Sequence, residues 1–486
     1  MDGTDLLQGT GALLPHLTVI TTGLVILVLD LFLTSRSRYM NEVVGLIGLV
    51  LAFALALGQA GDPRLLFSEM AIADNLAVFF HALFVLIAIL TMLMSASYIR
   101  HENIVAGEYY ALVLFATSGL MFVASAADLV TLFIAIETLS ISTYILAGLH
   151  QDEQRSQEAA FKYFILGAFS SAIFLYGIAT VYGAQGHTNV LKLAEALGEN
   201  DLSTMLIVGM GLIIVGLGFK VAVVPFHMWV PDVYDGAPTA ITAFMSAGPK
   251  AAAFAAFLRV FFQGFASPAL AQNWIPIFVV LAALTMILGN VVAITQESIK
   301  RMLAYSSIAH AGYAFVALVT LDQLGAASVL YYLVAYALMS LGAFGVLTIV
   351  AKRGERHHTF GDYAGLSSTN PLLAALMALF MFALAGFPPT AGFAGKFYIF
   401  SAAVQKGHYV LVLIGVLTSV ISVVYYARVV MMMYMREPDL GSSGPRVSAT
   451  AGTLLGVTAA GTLFLGVFPG SVLRLAEYSV NLLFAS

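Results

Sequence analysis

From residue 13 to residue 468 the sequence is a train of apolar runs separated by short polar breaks, many of them close to the roughly 20 residues that a helix needs to cross bilayer hydrocarbon. They fall at 13–35, 41–60, 75–98, 109–126, 128–148, 160–184, 203–231, 238–263, 275–295, 303–321, 324–351, 371–404, 409–435 and 447–468. The runs are unbroken and do not alternate every second residue. In hydrocarbon, where each unsatisfied backbone group costs several kcal/mol, this pattern predicts helices and not a barrel. The expected fold is an all-α polytopic membrane protein of about fourteen transmembrane helices, one for each apolar run.

The polar residues are too few for anything else. Charged residues make up 10% of the chain and hydrophobic ones 60%, against about 25% charged in soluble proteins, so no extramembrane domain fits. A net charge of −5 with scattered basic residues excludes a nucleic-acid partner. With no cysteine there are no thiolate-held iron–sulfur clusters, disulfides or thiol nucleophiles. No dinucleotide fingerprint joins a strand to a helix, so no cofactor or metal is expected in the chain itself. Residues 1–13 carry Asp2 and Asp5 without a basic residue, so the first run is expected to remain in the mature protein.

Lys and Arg in the short loops set the orientation. One side collects Arg36, Arg38, Arg100, Arg155, Lys300, Arg301, Lys352, Arg353, Arg356, Arg436 and Arg446, and the other holds only Arg64, Lys192, Lys406 and Arg474. Both termini are therefore expected on the outer side of a bacterial plasma membrane. The tail after Pro469, with Leu473, Leu475 and Leu483 beside Arg474 and Glu477, reads as a short amphipathic piece at the interface.

A weak internal repeat divides the train. Phe161-Lys162-Tyr163-Phe164 resembles Tyr331-Tyr332-Leu333-Val334, and Leu217-Gly218-Phe219 before Pro225 resembles Ala385-Gly386-Phe387 before Pro388 and Pro389. An odd number of helices between them makes the units inverted, each with a Gly/Pro-broken helix, which is a transporter pattern. The expected organisation is 1–108 (helices 1–3), 109–263 (first five-helix unit), 264–435 (second, inverted unit) and 436–486 (last helix and tail).

Charges inside hydrocarbon are costly and call for a function. Glu137 lies deep in its run with Ser140 and Tyr144 on the same helical face, and a carboxylate there needs a cation. Lys220 precedes Pro225 and His227, where the missing N–H of proline frees a carbonyl. Thr242, Ser246 and Lys250 form a stripe at four-residue steps around Pro249. Lys396 follows a Gly- and Pro-rich break as a counterpart of Lys220. Between them, Ser306, His310 and Tyr313 on one helix and Tyr332, Tyr336 and Ser340 on the next extend a hydrogen-bonding path. Blander readings exist. Lys162, Arg259 and Arg428 lie near helix ends, where long side chains snorkel. Asp128 opens a helix as an N-cap, and His227 and His310 serve equally well as structural histidines. Desolvation favours a neutral lysine and a nearby carboxylate a charged one, so a row of such groups can pass a proton along.

The residues from Gly216 to Pro238, GLGFKVAVVPFHMWVPDVYDGAP, resemble the broken-helix motif of the antiporter-like subunits of respiratory complex I in the form of subunit N, the counterpart of mitochondrial chain 2. Ser298 to Tyr313, SIKRMLAYSSIAHAGY, and Gly392 to Tyr398, GFAGKFY, match two further signatures. The resemblance runs along essentially the whole chain. Subunit M usually has Glu at the position of Lys396, and subunit L adds a lateral helix for which no residues remain.

What the resemblance implies is a proton-translocating membrane-arm subunit of NADH:quinone oxidoreductase. Glu137 matches the carboxylate of the fifth helix, Lys220 its partner on the broken seventh, and Lys250 the connecting lysine of the eighth. Lys396 matches the lysine of the broken twelfth, which the family links to exchange with one membrane side. His310, His227 and Lys162 complete the expected relay. NADH, FMN, iron–sulfur clusters and quinone would be used by partner subunits, both membrane and peripheral, with neighbouring antiporter-like and small membrane subunits beside this chain in the bilayer. The competing expectation is a subunit of a cation/proton antiporter or of a membrane-bound hydrogenase-type complex.

Overall fold

The computed structural model describes residues 11–34, 37–102, 104–196, 202–351, 358–438 and 445–484. Asp2, Asp5, Arg36, Lys352, Arg353 and Arg356, on which the first-run and orientation readings partly rest, lie outside them.

The described chain is nearly all helix. In order come α1 (Leu14–Asp30), α2 (Tyr39–Leu57), α3 (Asn75–Glu102), α4 (Ala106–Ser125), α5 (Leu129–Ala147), α6 (Gln154–Gln185), α7 (Val190–Ala196), α8 (Thr204–Val221), α9 (Trp229–Gly236) and α10 (Thr239–Arg259). There follow α11 (Pro268–Ile294), α12 (Ile299–Leu318), α13 (Gln323–Val350), α14 (Leu366–Thr369), α15 (Pro371–Ala385), α16 (Ala391–Gln405), α17 (Tyr409–Met435), α18 (Ala449–Val467) and α19 (Gly470–Val480). Eleven helices among the described residues are long and apolar enough to cross a membrane, and α1 and α15 are shorter apolar helices.

Burial sorts the helices into an inner and an outer set. Every residue of α10 is buried, and α13 is buried along most of its length. Small residues on α10, such as Ala251, Ala252, Ala253, Ala255 and Ala256, let neighbouring helices approach closely. By contrast α1, α2, α6 and α17 each keep an exposed apolar face, as with Val28, Ile47, Phe169 and Val420. In lipid such a face is solvated by acyl chains and carries no penalty.

Two apolar runs are interrupted where the proline spacing predicts. α8 stops at Val221 with Ala222 in the left-handed region (φ 67°), and helix resumes only at Trp229. α15 stops at Ala385 with Gly386 at φ 94°, and α16 starts at Ala391. Gly386 serves twice, because a Cβ there would also meet Lys396 Cδ at 3.1 Å.

The structure adds one element that the apolar pattern does not show. Strands β1 (Arg64–Leu66) and β2 (Ala71–Ala73) pair antiparallel between α2 and α3. Their turn places Phe67, Ser68 and Glu69 at φ 52°, 54° and 69°, which for non-glycine residues costs of order 1 kcal/mol each. Asn189 Nδ2 donates to Glu69 O at 2.6 Å, and Lys192 pairs with the Glu69 carboxylate at 2.8 Å. That contact holds the ammonium pKa above its ordinary value. At the same end Asp128 caps α5, accepting from Val130 N at 2.8 Å and Thr131 N at 3.2 Å, as its position before the helix predicts. Asp128→Ala is expected to cost about 1 kcal/mol, measured as a lower denaturation midpoint of the solubilised protein. The tail forms α19, whose Leu473, Ala476 and Val480 are buried, and it packs against α13 and α3.

Candidate functional site

The deep carboxylate sits midway along α5, half-buried, and accepts a hydrogen bond from the Ser171 hydroxyl of α6. Lys220 lies in the last turn of α8 and donates to Ser140 Oγ at 2.8 Å, with the Tyr144 ring centroid 5.9 Å away. Glu137 and Lys220 lie close enough for their charges to interact. Carboxylate and amine are each held by a serine, on different helices, and no direct ion pair joins them. Helical spacing placed Glu137, Ser140 and Tyr144 toward the same region, but it does not specify which of them the amine reaches.

Lys250, on α10, is buried and donates to Ser307 O at 2.6 Å and Ser307 Oγ at 2.8 Å on α12. The stripe above it is bonded throughout, with Ser246 Oγ 2.7 Å from Ser340 Oγ and Thr242 Oγ1 donating to Tyr234 O at 2.8 Å. One turn beyond Ser307, His310 places Nδ1 2.6 Å from Tyr332 Oη and Nε2 3.1 Å from Tyr426 Oη, and Tyr426 reaches Ser306 at 2.5 Å. A neutral imidazole held between two hydroxyls accepts at one nitrogen and donates at the other, and both roles exchange when a proton passes.

Lys396 comes from the second half of its broken helix but folds back onto the first. Its Nζ donates to Ala385 O at 2.9 Å and Leu384 O at 3.2 Å, and to Ser419 Oγ at 2.8 Å on α17. It also sits 4.6 Å from the centroid of the Tyr313 ring. Lys220 and Lys396 thus share a physical situation. Each amine lies near the C-terminal end of the half-helix before the break, where unpaired carbonyls and the negative end of the helix dipole favour a cation. That likeness is one of surroundings, since Lys220 precedes its break and Lys396 follows its own.

Two expected relay residues stand apart. Lys162 is at the start of α6 with its side chain 40% exposed, paired with Glu158 at 2.7 Å and Asp232 at 2.9 Å, and Asp232 also pairs with Arg301 at 2.8 Å. This cluster lies at one end of the bundle, outside the buried row. His227 is in the connection between α8 and α9, half-buried, with Nδ1 unbonded and no hydrogen bond to the row.

Two basic residues depart from the sequence reading. Arg259 does not snorkel. It is buried at the end of α10 in a bidentate pair with Asp74, Nη1 to Oδ2 at 2.6 Å and Nη2 to Oδ1 at 2.5 Å, and it also donates to Ala124 O. Lys300, counted among the loop cations, is buried in the first turn of α12 and donates to Ala237 O at 2.6 Å. Arg428 does reach a helix end, donating to Gln296 O at 3.2 Å with its guanidinium 4.0 Å from the Phe360 ring centroid. Asp74, Ser171, Ser307, Ser419, Asn290, Tyr425 and Tyr426 were not singled out from the sequence.

A polytopic helical chain with two broken helices, and a buried lysine at each break, has the architecture of an antiporter-like membrane subunit. Residues 126–422 match the family model described as NADH:quinone oxidoreductase/Mrp antiporter, transmembrane. NADH-quinone oxidoreductase subunit N of Trichlorobacter lovleyi is 46% identical over 97% of this chain and 97% of its own length. The subunit N 2 of Rhizobium meliloti is 45% identical over 99% of each. A chain of respiratory complex I from Thermus thermophilus, solved with bound aureothin, superposes with a TM-score of 0.81 at 33% identity, covering 96% of this chain and 100% of that one. The chain belongs to the NADH-quinone oxidoreductase subunit N family, the antiporter-like subunits of the complex I membrane arm.

Proposed function

We propose that this chain translocates protons, driven by electron transfer from NADH to quinone in partner subunits of the same complex. The observation that carries the reading is the row Glu137, Lys220, Lys250, His310 and Lys396, with lysines bound at both helix breaks and at the centre of the bundle, each facing hydroxyls or carbonyls and not lipid. The family matches support placing that row in a respiratory complex. Moving one charge against 100 mV costs about 2.3 kcal/mol, so the energy comes from neighbouring subunits, in which NADH, flavin, iron–sulfur clusters and quinone react. Neighbouring antiporter-like and small membrane subunits are the proposed contacts within the bilayer.

In this reading the protein crosses a bacterial plasma membrane fourteen times. The eleven long apolar helices are joined by α1, by α12 and by the pair α15 and α16. Both termini face outward, and residues 109–263 and 264–435 are the two inverted units. Between the clusters at Lys220, Lys250 and Lys396, protons pass through water when the breaks shift. Lys162 with Asp232 and Arg301 serves at the mouth on the side opposite the termini, and His227 lines the first break.

Lys396→Ala in the assembled complex is expected to lower NADH-driven proton transport about tenfold or more, read from acidification of proteoliposomes, with subunit stoichiometry unchanged. Unaltered transport in that variant removes Lys396 from the path. If Glu137→Gln and Lys220→Ala also pump normally, the buried row is scaffold.

A further inference from the structure

Tyr313 was expected to carry protons by its hydroxyl; it presents its ring to Lys396 and holds its hydroxyl among Asn290, Thr418 and Ser419. The residue that sets this arrangement is Asn290, on α11 and fully buried. Asn290 Nδ2 lies 2.7 Å from Met286 O, a carbonyl that can only accept. The amide orientation is thereby fixed, with nitrogen on that side. The same nitrogen donates to Tyr313 Oη at 3.1 Å, and Oδ1 accepts from the Tyr425 hydroxyl at 2.9 Å. Both tyrosines are consequently polarised. Tyr425 spends its proton on Asn290, while Tyr313 accepts from Asn290 and turns its own O–H toward α17, where Thr418 Oγ1 lies at 3.5 Å and Ser419 is the neighbouring partner. Thr418 in turn donates to Ile414 O at 2.8 Å.

Two consequences follow from the chemistry of an amide. A carboxamide does not take up or release a proton near neutral pH, so the hydroxyls of Tyr425 and Tyr313 are not linked as a conducting wire. Secondly, with its hydroxyl tethered on the α11 and α17 side, Tyr313 keeps its ring 4.6 Å from the Lys396 ammonium, within cation–π range.

We propose that Asn290 is a positioning residue for Lys396. It holds the Tyr313 ring against the ammonium and, standing between the hydroxyls of Tyr425 and Tyr313, closes that link to protons. The inference rests on the relay reading above, but its test is separate. If Lys396→Ala leaves transport intact, the relay reading fails. If only the Asn290 variants are silent, the positioning role fails alone.

The test uses the whole complex in proteoliposomes with NADH and quinone. Asn290→Leu and Tyr313→Phe, which cut the same hydrogen bond from opposite ends, are each expected to lower coupled proton transport about three- to thirtyfold, from partial to full loss of one desolvated cation–π contact. The two variants share one altered pH profile, and the double variant is no worse than either single. A lesion that merely loosened packing would lower the rate by the same factor at every pH. Tyr425→Phe leaves the bonds from Asn290 Nδ2 to Met286 O and Tyr313 in place and is expected to keep the wild-type profile, and Tyr313→Phe keeps the test open if Asn290→Leu fails to assemble. Losses that multiply in the double variant, or a wild-type profile in Tyr313→Phe, overturn the proposal.

Discussion

Arg259→Met is expected to destabilise the protein by about 3–5 kcal/mol, enough to deplete it from the membrane. Arg259 and Asp74 are 2% and 1% exposed in their side chains, and 185 residues separate them. The pair closes the end of α10 onto the start of α3, and through Ala124 O onto the end of α4. Forming such a pair gains little over two apolar residues, because desolvation offsets most of the attraction. Removing one member is different. Asp74 would then keep only the Ala77 amide, which it caps at 2.9 Å, and an uncompensated carboxylate in hydrocarbon. The measurement is the thermal midpoint and membrane abundance of the variant against Asp74→Asn/Arg259→Met, which removes both charges and should recover most of the loss. If the single variant is as stable as the wild type, water reaches this pair and its burial has been misjudged.

From sequence, Arg259 is a charge within an apolar run for which snorkelling is an even alternative, and the reason the choice stays open is physical. Arg259 is the last residue of α10, and Asp74 immediately precedes α3. Charges at helix ends have an inexpensive alternative, since a long side chain reaches the interface and a carboxylate caps a helix. Nothing in the local pattern says that these ends are covered by the hairpin and α7. Glu137, Lys220, Lys250 and Lys396 were legible because a charge deep in an apolar run has no such alternative. Their partners were not. Ser171, Ser307 and Ser419 are ordinary residues of membrane helices, and Asn290, being uncharged, leaves no mark in a hydropathy pattern. The broken helices followed from Pro225 and from Pro388 with Pro389, whereas the hairpin at Arg64–Leu66 and Ala71–Ala73 is too short to give a period. Helical spacing established which residues share a face, but not that Lys220 would be held by Ser140 and Glu137 by Ser171.

The opposite trade between stability and activity is expected at Lys250. It is as deeply set as Arg259, yet none of the ion pairs among the described residues includes it, and its partners are the hydroxyl and carbonyl of one serine. An amine so placed is a standing cost to the fold whenever it is charged. Methionine matches its volume and adapts to irregular space. Ser307 would not be orphaned, because its hydroxyl still donates to Ala304 O at 2.9 Å. Lys250→Met should therefore leave the denaturation midpoint unchanged or raise it, the gain amounting to as much as about 1–3 kcal/mol. Proton transport per assembled complex should fall by about a hundredfold or more, since methionine leaves no titratable group between the Lys220 cluster and His310. A structural lysine would behave in reverse, with stability lost in proportion to its two hydrogen bonds and transport scaling only with the amount assembled. Measuring the midpoint and the pumping rate on one preparation separates these cases. A residue retained at the expense of the fold is one the mechanism requires.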